Sequence, residues 1–122
     1  MKQLPMRPPA QALALRLLAP VPYAQRFPAG RLRPPVGVTP GDVRSLPELH
    51  RFLAPSDESL PGLDLAKLPG WVGRVVGDPE LSARLEAAVG DAACYVEACL
   101  RVHELVGERL EQARVASRPG VA

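Results

Sequence analysis

The 122-residue chain is predicted to be mainly α: a small helical domain of about four helices, with a long C-terminal helix and an extended Pro-rich N-terminal arm. Three observations lead there. Nine of the 15 prolines fall within residues 1–41, where their fixed φ and missing N–H exclude long helices. Residues 92–113 repeat apolar side chains at steps of three and four, the period of one helical face. Between these regions, capping patterns punctuate residues 45–91 into short helices.

The arm, residues 1–41, carries Lys2, Arg7, Arg16, Arg26, Arg31 and Arg33 before the first acid, Asp42. The remaining residues hold nine of the 15 bases and all 13 acids, so a net charge of only +2 conceals a basic arm on an acidic body. The arm is also apolar, with Leu13, Leu17, Tyr23, Phe27 and Leu32 among its residues. Its Pro-free window, residues 10–19, has room for a short helix, and a two-stranded pairing around Arg31–Val38 fits the rest. Apolar surface of this extent must lie on the chain's own body or on another molecule. The second is the expectation.

The body, residues 42–117, begins with Ser45-Leu-Pro-Glu48, which has the spacing of a capping box. Leu49, Phe52 and Leu53 share the face of that first helix, and Pro55 stops it. Pro69-Gly-Trp-Val72 opens a second helix with Val75 and Val76 inward, closed by Gly77. Asp78-Pro-Glu80 starts a third with an N-cap Asp, a proline in the first turn and an acid at the positive end of the dipole. Leu81, Leu85, Ala88 and Val89 form its face, and Gly90 ends or kinks it. Asp91 is expected to cap the last helix, 91–116. Ala92, Val96, Cys99, Val102, Val106, Leu110 and Ala113 make its buried stripe, and Arg101, Arg109 and Arg114 lie with Glu97, Glu104, Glu108 and Glu111 on a solvated flank. Leu100, Leu105 and Leu110 add a second apolar edge. Residues 118–122 should fray.

Residues 45–89 resemble part of an uncharacterised prokaryotic family of small helical domains. Ser45, Leu46, Glu48 and Leu49 match its first helix. Trp71, Val72, Val75, Val76, Gly77, Asp78 and Leu81 match the motif that follows. The resemblance implies a small helical domain and carries no activity.

No catalytic constellation emerges from the residue inventory. Cys94 and Cys99 lie five apart in a helix, too far for an intrahelical disulfide, and suit a reducing compartment. His50 and His103 are the only histidines; Cys99 and His103 share a face, but too few further ligands exist for a structural zinc. The carboxylates have ready roles as caps and turn formers, and Gly-x-x-x-x-Gly-Lys-Ser/Thr and Gly-x-Ser-x-Gly are absent. No metal or cofactor is expected, and the chain is not read as an enzyme. No apolar run approaches the ~20 residues that cross a bilayer, so a cytoplasmic location is expected.

A helical body of this size buries only about 60% of its surface, which is marginal without help. The expectation is therefore a non-catalytic accessory or structural subunit. It docks onto a larger protein or enzyme complex, or onto a second copy, through its arm and long helix. The residues expected to bind the partner are Arg7, Arg16, Tyr23, Arg26, Phe27, Arg31, Arg33, Leu100 and Leu105. The alternative is a nucleic-acid-associated protein, with the arm's cations on phosphates and Tyr23 and Phe27 stacking on bases.

Overall fold

Ser45 does what its spacing to Glu48 predicts: its hydroxyl accepts the Glu48 N–H at 3.1 Å and starts helix α2, Leu46–Phe52. A computed structural model describes residues 6–33, 35, 37–56 and 60–118. In chain order, α1 (Gln11–Leu18) leads through a 3₁₀ turn, Tyr23–Gln25, into strands β1 (Phe27–Pro28), β2 (Gly30–Arg33), β3 (Gly37–Thr39) and β4 (Asp42–Val43). After α2 come strand β5 (Leu60–Gly62), α3 (Leu68–Trp71), a π turn at Val72–Val76, α4 (Pro79–Asp91) and α5 (Tyr95–Ala116).

The fold is therefore mixed α/β, which corrects the mainly-α, four-helix expectation. Among the described residues there are five helices, a three-stranded antiparallel sheet in the order β3-β2-β5, and a two-stranded β1–β4 ribbon. The pairing expected near Arg31–Val38 is present, Leu32 opposite Val38, with Gly37 at φ 103° after the turn. The third strand, Leu60-Pro-Gly62, has no counterpart among the elements expected from the sequence. It pairs because Gly30 faces Gly62, and a Cβ at Gly62 would stand 3.3 Å from the Gly30 carbonyl oxygen. Two facing glycines let the backbones come together.

From Met6 to Gly41 the described residues do not form an extended arm. Prolines break them into short pieces that pack on one another and on the rest of the chain. Helix α1 packs against α5 and buries Ala14 and Leu17 completely. Met6, Phe27 and Ala29 are also buried, and Phe27 tilts against Trp71 with ring centroids 5.6 Å apart. The Trp71 indole N–H donates to the Gln25 carbonyl at 2.7 Å, and the Val21 N–H donates to the Arg44 carbonyl at 2.6 Å. Proline excludes a long helix but does not prevent a segment from burying its apolar side chains in strands and turns.

Asp78 caps α4 as its sequence pattern predicts, accepting the Leu81 N–H at 3.0 Å. Before it, Gly77 at φ 87° ends the π turn, and the Val72 carbonyl receives the N–H groups of both Gly77 and Asp78. The Arg16 guanidinium lies directly over Gly77 and donates to the Val76 carbonyl at 3.2 Å. Any side chain at position 77 would meet both a left-handed backbone and that guanidinium.

Helix α4 continues through Gly90 and Asp91, so Asp91 does not cap the last helix. That helix starts at Tyr95, and Cys94, its N-cap, contributes no side-chain bond. Glu97 instead reaches back, its carboxylate accepting the Ala93 N–H at 2.9 Å. This bond, then the Arg101 guanidinium at 2.6 Å, holds the Glu97 carboxyl below its usual range. The 22 residues of α5 extend about 33 Å. Its Cys99, Val102, Val106, Leu110 and Ala113 are buried as the stripe predicts, but Val96 is half exposed. No helix among the described residues is long and apolar enough to cross a membrane.

Because Leu17 is wholly enclosed by the chain's own core, Leu17→Ala is expected to cost about 2–5 kcal/mol in urea unfolding. A leucine on an arm that served only a partner would cost a few tenths of that.

Candidate functional site

Two turns at the start of α5 carry a pair of apolar residues each, Tyr95–Val96 and Cys99–Leu100. The buried stripe claims Cys99, and its neighbours are turned outward by roughly a quarter of a helical turn. Tyr95, Val96 and Leu100 are 41%, 50% and 41% exposed, unusual for three large apolar side chains within six residues. Opposite them stand Leu53 to Ser56, the segment that follows α2, and the β5 residues Leu60 and Pro61. The two walls enclose a groove of about 170 Å³ with Cys99 in its lining. Leu32, also exposed, faces Leu60 across the sheet and extends the same apolar surface.

The polar groups around this groove are already occupied. Pro61 offers no N–H, and its carbonyl accepts the Tyr95 hydroxyl proton at 2.6 Å. The same hydroxyl accepts the Leu63 N–H at 3.1 Å. β5 is the outer strand of its sheet, and these bonds blunt its free edge against pairing with another strand. Burial raises the Tyr95 hydroxyl above its ordinary value, so it stays a neutral donor. Burial likewise raises the Cys99 thiol, which lies 5% exposed and stays protonated. The described lining is mostly apolar, so the groove can hold an apolar group.

Behind the groove, α2 and α5 meet through two stacked imidazoles. The His50 and His103 rings lie 4.2 Å apart at 10°, and His103 Nδ1 is 3.0 Å from the His50 carbonyl oxygen. Gly107 makes this possible, since a Cβ there would stand 2.8 Å from His50 Nε2. His103 thus faces His50 and not Cys99, its partner in the sequence pattern. No group of three or more His, Cys, Asp or Glu side chains among the described residues is placed to hold a metal ion.

At the other end of α5, Arg109 is buried, not solvated. Its Nε and Nη2 donate to Asp78 at 2.7 and 3.2 Å, and its Nη1 donates to the Arg7 carbonyl at 2.6 Å and to Gln112 at 2.9 Å. Asp78 is fully buried and Arg109 is 2% exposed. The helical period alone placed Arg109 wrongly, because the segment preceding α1 covers that flank. The cue was available in Asp78: a buried N-cap carboxylate needs a cation.

The residues expected to bind a partner scatter. Arg7 is exposed, but its backbone is held at both ends, N–H to Glu80 and carbonyl to Arg109. Arg16 is spent on the Val76 carbonyl. Arg26 pairs with Asp42 at 2.7 Å and lies 3.8 Å over the exposed Tyr23 ring. Arg31 donates to the Phe52 carbonyl at 2.6 Å and lies over the Phe52 ring. Phe27 is in the core, unable to stack on a base. Arg33 ends β2, and its side chain lies outside the described set. Leu105 is half-buried against the core and Leu110 fully buried, so neither joins Leu100 in an outer strip. Of the nine, only Leu100 lines the groove. Sequence reading missed Tyr95 and Leu60 and placed Val96 in the buried stripe; the only signal for Tyr95 and Val96 was two adjacent apolar pairs four residues apart on α5, and Leu60 had none.

Comparison with family models, curated proteins and solved structures finds no match to the chain. Its function must be argued from the groove itself.

Two outcomes follow from this chemistry. Asp78→Ala removes a cap worth about 1 kcal/mol, yet is expected to cost about 3–5 kcal/mol in chemical denaturation because Arg109 is left charged and buried. With a thiol-specific disulfide reagent at pH 8, exposed Cys94 should react at once, while Cys99 reacts only as the chain unfolds. Two equally fast thiols would show that the groove lining opens freely.

Proposed function

We propose that the chain is a non-catalytic docking module that receives one bulky apolar side chain of a partner protein in the groove between α5, α2 and β5. The observation that supports this reading is the shape and chemistry of the groove. About 170 Å³ lined by Leu53, Pro55, Leu60, Val96 and Leu100 matches a leucine- or phenyl-sized group. Interfaces concentrate their affinity in such anchors, set in pockets that exclude water.

The chemistry of the partner follows from the rim. A blunted β5 edge offers no backbone ladder, so an added strand gains little. A helix or tight turn satisfies its own backbone and presents a single Leu, Phe or Trp. This reading keeps the long helix as a docking element but moves the contact to its first two turns, and it no longer needs the N-terminal segment. The cations of that segment are committed within the chain at Arg16, Arg26 and Arg31, which weakens the nucleic-acid alternative.

Selection from a displayed library of helical peptides is the direct test. Binders should converge on one bulky apolar anchor and lose at least tenfold in affinity against Leu100→Glu, which would place a charge in the groove. Leu15→Glu, at a more exposed leucine on α1, should leave binding unchanged. Binders indifferent to Leu100, or selected for acidic residues facing Tyr23 and Arg26, would overturn the reading.

A further inference from the structure

The stacked histidines occupy a special position relative to the groove. On α2, His50 precedes Leu53 and Ala54 by three and four residues. On α5, His103 follows Cys99 and Leu100 by the same intervals. Both groove walls are therefore continued, one helical turn further, by the two imidazoles in contact. We propose that the His50–His103 stack is an acid-released latch: when His50 takes a proton within the stack, the end of α2 separates from α5 and the groove loses its hold on an apolar anchor. The proposal rests on the docking reading of the groove.

The charges around the stack point in one direction. His103 Nδ1 faces the His50 carbonyl oxygen in the last turn of α2, so the two helices meet through this contact. His50 faces the His103 ring across 4.2 Å, and His103, with Arg114 from α5 and Arg51 from its own helix, opposes a positive charge on it. Arg114 is only loosely held by Glu111, at 3.5 Å. Among the described residues, the only charged residue of α1 is Arg16, bound to Val76, Asp42 of β4 is paired with Arg26, and Glu108, beside Gly107 on α5, is exposed. Glu48 lies near the start of α2, and Glu104, next to His103, is exposed.

Burial first, then His103, Arg114 and Arg51, hold the His50 imidazole below its ordinary value near 6.5. The folded chain therefore refuses a proton that the unfolded chain accepts. The stabilisation that comes from neutral His50 is complete above about pH 6.5 and is lost as pH falls through the lower folded-state value. Part of that loss is expected to appear locally, as parting of α2 from α5.

Benzene is a suitable probe of a groove this size, and its binding to the full chain is followed by NMR of the Leu53 and Leu100 methyl groups. Affinity should fall at least fivefold between pH 7.5 and pH 5.0, with amide exchange accelerating in α2 while helical circular dichroism is retained. His50→Phe, which keeps a stacked ring but cannot be protonated, should bind benzene equally at both pH values. His103→Gln, which can still donate to the His50 carbonyl, should behave likewise. Binding of benzene that is the same at both pH values in the native chain overturns the latch and leaves the docking reading standing. No binding at either pH overturns the docking reading and the latch with it. Loss of helical signal in step with binding overturns the latch alone, since it would then report general acid unfolding.

Discussion

The carboxylate of Asp78 binds three parts of the chain at once. One oxygen starts α4 by accepting the Leu81 N–H, and both oxygens take Arg109 of α5. The remaining guanidinium nitrogen passes the connection to the Arg7 carbonyl, while Gln112 donates to the Met6 carbonyl at 2.7 Å. Placing this pair out of water is expensive, and Coulomb attraction alone does not repay it reliably. What makes it tolerable is completeness: among the described residues no buried side-chain polar atom lacks a hydrogen-bond partner. A well-packed apolar replacement could be as stable, but it would not specify how far α4, α5 and the N-terminal segment slide along one another. Directional bonds from one forked side chain do specify it.

That lock lies toward the C-terminal end of α5, and the groove lies at the other. In between, Val102, Val106 and Leu110 are fully or almost fully buried, so the helix acts as a rigid bar fixed at one end and along its length. Its first turns are left to present Tyr95, Val96 and Leu100 on a defined backbone without enclosing them. Rigid presentation matters for binding, because side chains that are already ordered lose less entropy on association. The Tyr95 hydroxyl adds to this by tying the start of α5 to Pro61 and Leu63, so that the two walls keep their separation.

What could be read from the sequence divides by the range of the interaction involved. The Ser45 and Asp78 caps, the left-handed Gly77 and most of the α5 stripe depend on residues within four positions of one another, and these are in place as read. Most of the errors are long-range, the Asp91 cap being the local exception. β5 pairs with β2 some 30 residues away, and nothing within residues 60–62 signals a strand. Arg109 is buried because Arg7 covers it across 102 positions. Asp91 lost its capping role because α4 could continue through Gly90 and Glu97 could reach back to Ala93. The groove was partly visible, in Leu100, but its far wall depends on where α2 ends and where β5 returns. Neither is a local property.

The charge asymmetry between the two halves of the sequence has the same origin. Six cations without an acid suggest a surface that waits for an anionic partner. Yet Arg26 meets Asp42, the first acid in the chain. Arg16 and Arg31 find the other negative feature a folded chain supplies, the carbonyl-rich C-terminal ends of helical turns: Val76 closes the π turn and Phe52 closes α2. Cations at such ends are stabilising through the helix dipole as well as the hydrogen bond. A basic, Pro-broken segment followed by an acidic helical one is therefore a pattern that can complete itself within one chain. For Arg16, Arg26 and Arg31 the asymmetry is answered within the chain, whereas Tyr95, Val96 and Leu100 around the groove stay exposed.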